Sequence, residues 1–222
     1  MNVGEAIEAR YSVRAFLPDP IPETTLRALI RGAQRAPSGG NIQPWQVYGL
    51  TGKPLDALIA DVRERTAAGQ HESAPFPIYP DPLEEPYMAR RRECGFSLYS
   101  ALGIERQDYA GRDAWHARNF ELFGAPVALF FVLDAKAGPS QWADLGMFMQ
   151  TLMLLAVEDG LGTCAQAAWA QWPETLARHL ALTDGCVVAA GMAMGKMDPD
   201  HPVNQWRTTR APLDEIVRLS GF

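Results

Sequence analysis

Three polar side chains near the start of the chain, Arg10, Ser12 and Arg14, are spaced two apart in Arg10-Tyr11-Ser12-Val13-Arg14. Extended backbone turns alternate side chains to one face, so two guanidinium forks and a hydroxyl converge there. Arginine binds oxyanions through paired N–H groups, which makes the trio a fitting site for a phosphate monoester. Alone, the same pattern equally describes a solvated strand edge with two surface arginines. A second polar run follows, Ala36-Pro37-Ser38-Gly39-Gly40-Asn41-Ile42-Gln43-Pro44-Trp45. Its paired glycines let backbone approach a flat ligand, while Ser38, Asn41 and Gln43 offer hydrogen bonds to the edge of a heterocycle. By itself this run also describes an ordinary helix-to-strand loop. The two together, in this order and at this separation, are far more specific than either.

Other strings that look chemical dissolve on their context. Gly160-Leu161-Gly162-Thr163-Cys164-Ala165 fits the dinucleotide fingerprint, but that motif must follow a strand and open a helix. Here it follows a long apolar helix, and the glycines read as a helix stop and a turn. Gly191 to Lys196 is one residue short of a P-loop and lacks the hydroxyl residue after lysine. His71, His116, His179 and His201 have no partner at metal-ligand spacing and no serine or cysteine nucleophile context. Cys94, Cys164 and Cys186 are scattered and odd in number, which excludes a zinc or disulfide framework and suits a reducing compartment.

The elements that must position the two polar runs follow from periodicity. Asn2 caps a short helix to Ala9, and a longer one runs from about Pro22-Glu23 to Arg35 through Leu26, Leu29, Ile30 and Ala33. Trp45–Leu50 is a strand, Pro54–Ala68 a helix, and Pro126–Leu133 a continuous apolar run expected as a buried strand. Between them, Gly69–Pro86 carries Pro75, Pro77, Pro80, Pro82 and Pro86, an excursion expected to be mobile. Helices Tyr87–Leu102 and Gln107–Phe123 follow it. Gln141–Asp159 is helical and apolar around most of its circumference, which calls for burial on all sides and points to a subunit interface. A short helix near Pro173–Leu180 and a buried strand near Cys186–Met194 precede a proline-bearing tail expected to lie extended on the surface.

At 222 residues, 47% hydrophobic and 21% charged, the composition is that of a globular domain, here taken as one unit over 1–222. A net charge of -6 argues against nucleic acid, and Arg90-Arg91-Arg92, the sole basic run, reads as a solvated helix face. The start lacks signal-peptide character and no stretch is apolar enough to span a bilayer, so the expectation is a cytoplasmic protein.

Arg10–Arg14, the amphipathic helix after it and Pro37-Ser38-Gly39-Gly40-Asn41-Ile42-Gln43-Pro44-Trp45 closely resemble the opening of the FMN-dependent nitroreductase family. Gly160–Trp169 resembles the family's segment beneath the flavin, and Asp198–Asn204 leading to Arg207 and Arg210 its phosphate-contacting C-terminal region. The resemblance implies an α+β three-layer sandwich, with a mixed central sheet flanked by helices, in an intertwined homodimer. It implies FMN as cofactor, NAD(P)H as hydride donor and an electron-poor acceptor such as a nitroaromatic or quinone, with no catalytic side chain. Arg10, Ser12, Arg14 and Arg210 are then expected at the phosphate and ribityl chain, with Tyr11 and Arg207 also among the cofactor-binding residues. Ser38, Gly39, Asn41 and Gln43 are expected at the partner's flavin, and the backbone at Gln166-Ala167 beside flavin N5. Residues 69–123 resemble the family's variable lid. The chain departs from the family pattern at Ala165, often proline, and at Ala167 and Ala168, elsewhere acidic or amide, so side-chain contacts there are in question. A reductive dehalogenase, a flavin-cleaving enzyme or a flavin-binding redox sensor would share the same FMN contacts.

Overall fold

A computed structural model describes residues 1–222. The chain runs α1 (Val3–Ala9), α2 (Glu23–Ala33), β1 (Gln46–Thr51), α3 (Gly52–Ala67), α4 (Tyr87–Ala101), α5 (Tyr109–Ala117), β2 (Val127–Asp134), α6 (Pro139–Glu158), β3 (Gly162–Gln166), α7 (Pro173–Leu180), β4 (Cys186–Gly195) and α8 (Leu213–Ile216). The strands form one sheet in the order β1-β2-β4-β3, each neighbour antiparallel. Parallel pairing is confined to a bridge between Ser12 and Thr163 at the β3 edge.

Strand β2 explains the layering. Its side chains alternate between two buried faces, which is why the run is apolar without interruption. Val127, Leu129, Phe131 and Leu133 face α2 and α6, packing on Leu29, Ala33, Phe148 and Leu152. Ala128, Phe130 and Val132 face α3 and α7, among Leu58, Val62, Trp169 and Leu176. Helices thus cover the sheet on both sides, the three-layer α+β sandwich that the resemblance implied, but its four strands pair antiparallel throughout where a mixed sheet was expected.

The elements largely match expectation. Asn2 does cap α1: its side chain accepts from Glu5 N at 3.0 Å, and the Glu5 carboxylate accepts from Asn2 N at 2.9 Å. Strand β3 is the main difference. Gly160, at φ +73, is the helix stop, but Gly162 begins a strand instead of a turn. The predicted helix Gln107–Phe123 ends at Ala117 and continues as a 3-10 turn, because Leu122 and Phe123 reach the core from left-handed backbone at φ 50 and 56.

Helix α6 is only partly covered. Leu145, Phe148, Leu152 and Ala156 are buried, yet Met147 is 40% exposed and Met153, Leu154 and Val157 are half-buried. Its neighbour α1 leaves Val3 and Ile7 exposed. Residues 70–86 contain no helix or strand, but their start is anchored. The Glu72 carboxylate accepts from Glu174 N at 2.7 Å and from Thr175 Oγ1 at 2.6 Å, capping α7, and Phe76 meets Trp142 edge-on at 4.8 Å.

Candidate functional site

The phosphate-type residues converge as their spacing requires. Arg10, Tyr11, Ser12 and Arg14 line a small cavity of about 70 Å³ with Trp206, Thr208 and Arg210 from the tail. The strand that carries them lies on β3: Val13 N donates to Thr163 O at 2.9 Å, beside the Ser12–Thr163 bridge. Gly162 permits this approach, since a Cβ there falls 2.6 Å from Val13 Cγ2.

No acidic side chain lines the cavity, and none of Arg10, Arg14 and Arg210 forms an ion pair. Burial, and next the charge of Arg210, push the Arg10 guanidinium below its ordinary range. Burial reports lost hydration, and the Arg210 contribution reports positive charge gathered beside Arg10, a condition that a dianionic phosphate ester relieves. Beneath Ser12, burial pushes the Cys164 thiol up, so it sits there as a neutral side chain.

Edge strand β3 gives the cluster a flat neighbour. Ala165 and Ala167 are exposed while Gln166 is buried, its amide donating inward to Asn119 O at 2.7 Å. Because Thr163 turns its backbone outward to Val13, antiparallel alternation turns the backbone of Ala165 outward too. The small side chains leave room for a planar group against this edge.

The second polar run lies apart from this cavity: none of Ser38, Gly39, Asn41 and Gln43 lines it. Gly39, Asn41 and Gln43 are exposed, and the loop is held from below. Buried Asp144 accepts from Gly39 N at 3.3 Å, and Ser38 Oγ accepts from Gln43 N at 3.0 Å. Asn41 and Gln43 both take positive φ, at 56 and 48, backbone strain of the kind stored at binding loops.

Arg207 also stands outside the cavity lining. Its guanidinium lies 3.4 Å from the centroid of the Tyr11 ring and donates to Asn204 O at 2.7 Å. Sequence reasoning missed Trp206, Thr208 and Asp144; the last was signalled by an acid set among the apolar residues of α6, away from its charged C-terminal end. The tail residues reach the site through α4, where Arg90 pairs with Glu215 at 2.7 Å and Thr209 donates to Glu93 at 2.9 Å. A cavity of about 600 Å³ between α4 and the tail shares Thr208 and Arg210 with the cationic cluster.

The fold is a two-faced α+β sandwich that carries a cationic cavity without acidic lining at its sheet edge. The nitroreductase family model matches residues 7–196, and the chain belongs to that family. A 4-nitrobenzoate reductase of Pseudomonas putida is 36% identical over 216 residues, covering 97% of this chain and 94% of the relative. The structure matches that of the FMN and NADPH-dependent nitroreductase NfnB from sphigopyxis sp. strain HMH with TM-score 0.97 at 42% identity, over 100% of both chains. It also matches the FMN-dependent nitroreductase NfnB from Mycobacterium smegmatis, solved in complex with NADPH, with TM-score 0.92 at 30% identity, over 99% of this chain and 100% of that one.

Proposed function

We propose that the chain is an FMN-dependent oxidoreductase that passes hydride from NAD(P)H to an electron-poor small molecule, a nitroaromatic or quinone. The observation that carries this is the uncompensated cluster of Arg10, Ser12, Arg14 and Arg210 beside the open edge of β3. Its donor set fits a phosphate monoester, and the exposed alanines next to it fit a flat ring. When bound, FMN supplies the redox chemistry, so no side chain has to act as nucleophile or general acid.

The residues then divide the work of binding. Arg10, Ser12, Arg14 and Arg210 hold the phosphate, and Tyr11 and Arg207 brace the strand that presents them. The backbone at Gln166-Ala167 lies beside the ring. Ser38, Gly39, Asn41 and Gln43 serve the flavin of a second copy, which explains their distance from the phosphate cradle of their own chain. The apolar surface left open on α1 and α6 is the seat of that homodimer. Residues 1–222 act as one unit, with 69–123 as a lid, working in the reducing cytoplasm that three free cysteines suit.

The purified protein should be yellow, or take up one FMN per chain, and oxidise NADPH only when a nitroaromatic or quinone is supplied anaerobically. A colourless protein that takes up no FMN overturns the reading. Bound flavin without acceptor-dependent turnover overturns the enzymatic part alone.

A further inference from the structure

We propose that Asn204 and Trp206 are positioning residues for phosphate recognition, fixing the backbone and the guanidinium of Arg14; this rests on the FMN reading above. Asn204 is only 1% exposed, and every polar atom of its side chain is used. Its Oδ1 accepts from Arg14 N at 3.0 Å, and its Nδ2 donates to Ala15 O at 2.9 Å and Asp198 O at 2.8 Å. The amide orientation is settled by the partners, one donor and two acceptors. A single carboxamide therefore joins the phosphate-bearing strand to the tail at the residue where Arg14 leaves the backbone.

Trp206 acts on the other end of the same side chain. The Arg14 guanidinium carbon lies 5.7 Å from the centroid of the Trp206 ring, within cation–π range. The indole Nε1 makes no hydrogen bond within the chain, and the ring meets Arg14 through its face. Arg14 itself has no ion pair, and its guanidinium reaches only Ser12 O, at 3.3 Å. Its aim into the cavity thus depends on Asn204 below and Trp206 beside it.

Titrating apoprotein with FMN and with riboflavin, which lacks the phosphate, reads this directly as the ratio of the two affinities. Asn204→Ala and Trp206→Leu should each shrink the preference for FMN about tenfold, the scale of one misplaced charge-assisted hydrogen bond. Trp206→Phe, which keeps an aromatic face, should restore most of it. In an Arg14→Ala background neither substitution should lower the ratio further. Equal loss of FMN and riboflavin affinity, or an unchanged ratio, overturns the proposal. Should Asn204→Ala fail to fold, the Trp206→Leu and Trp206→Phe pair decides alone. A wild-type protein with no preference for FMN overturns the proposed function instead, whereas wild-type preference kept in the variants overturns only this positioning role.

Discussion

Replacing Gly162 by alanine tests the contact that seats the phosphate-bearing strand on β3. The added Cβ falls 2.6 Å from Val13 Cγ2, 3.0 Å from its Cβ and 3.1 Å from its Cγ1. All branches of Val13 are within contact, so rotation about χ1 exchanges one clash for another. Val13 is 3% exposed, and although a cavity of about 150 Å³ runs along it, its Cβ is fixed by the backbone and cannot swing away from the 3.0 Å contact. The strand must therefore lift from β3, stretching the Val13 N–H···O=C Thr163 bond now at 2.9 Å. Overpacking of this kind costs about 1–3 kcal/mol. Val13→Ala removes the 2.6 and 3.1 Å contacts and leaves only the one at 3.0 Å. That truncation costs about 1.5 kcal/mol on its own from lost methyl burial. The two changes should couple, the double variant being more stable than the sum by about 1 kcal/mol. Urea unfolding at one fixed protein concentration measures all four corners of the cycle, and FMN titration should show Gly162→Ala binding more weakly. A neutral Gly162→Ala, or two strictly additive effects, refutes the claim that this glycine sets the strand's position.

Further expectations concern acid stability, the excursion and assembly. Burial alone pushes the Asp61 carboxyl up, but hydrogen bonds from His179, Arg65 and Arg178 outweigh it and hold the group down to about 2. A depressed folded pKa stabilises above the ordinary 3.8 and is lost as pH falls through about 2, so Asp61→Asn should flatten the fall of the urea midpoint across that window. Glu72→Ala uncaps α7 and should cost about 0.5–2 kcal/mol in unfolding while FMN affinity stays unchanged; a neutral result removes Glu72 as the anchor. Shortening residues 69–86 should alter flavin reoxidation by a panel of nitroaromatics and quinones in stopped flow, and leave FMN content intact; an unchanged acceptor ranking removes the lid. Light scattering of the flavin-loaded protein should give twice the 24.4 kDa chain mass, and a flavin-loaded monomer contradicts the shared site.

Elements whose pattern serves local packing were legible. The unbroken apolar run of β2 announced burial on both faces, and α7 begins at Pro173 and ends at Leu180 as its proline and periodicity indicate. Strand β3 was hidden because Gly162 and Ala165 are poor strand formers and Thr163 alone is β-branched, too little for a five-residue strand to announce itself. It exists through pairing with β4 and with Ser12, partners distant in sequence. The site followed the same division. The alternation of Arg10, Ser12 and Arg14 is a local property, and those residues do share one cavity. Asn204 and Trp206 act through contacts nearly two hundred residues away in sequence, which no spacing within the tail encodes. Arg207 was grouped with Arg210 by resemblance to the family's C-terminal region, and its guanidinium lies over the Tyr11 ring.

The central claim is that uncompensated guanidinium groups from both ends of the chain hold the phosphate of FMN. Titration of apoprotein with FMN, comparing wild type with Arg14→Ala and Arg210→Ala, tests it most directly. Each variant should lose about one to two decades of affinity, corresponding to a charge-assisted hydrogen bond of roughly 1.5–3 kcal/mol. Affinity for FMN unchanged in both variants would remove these residues from the phosphate site and contradict the claim.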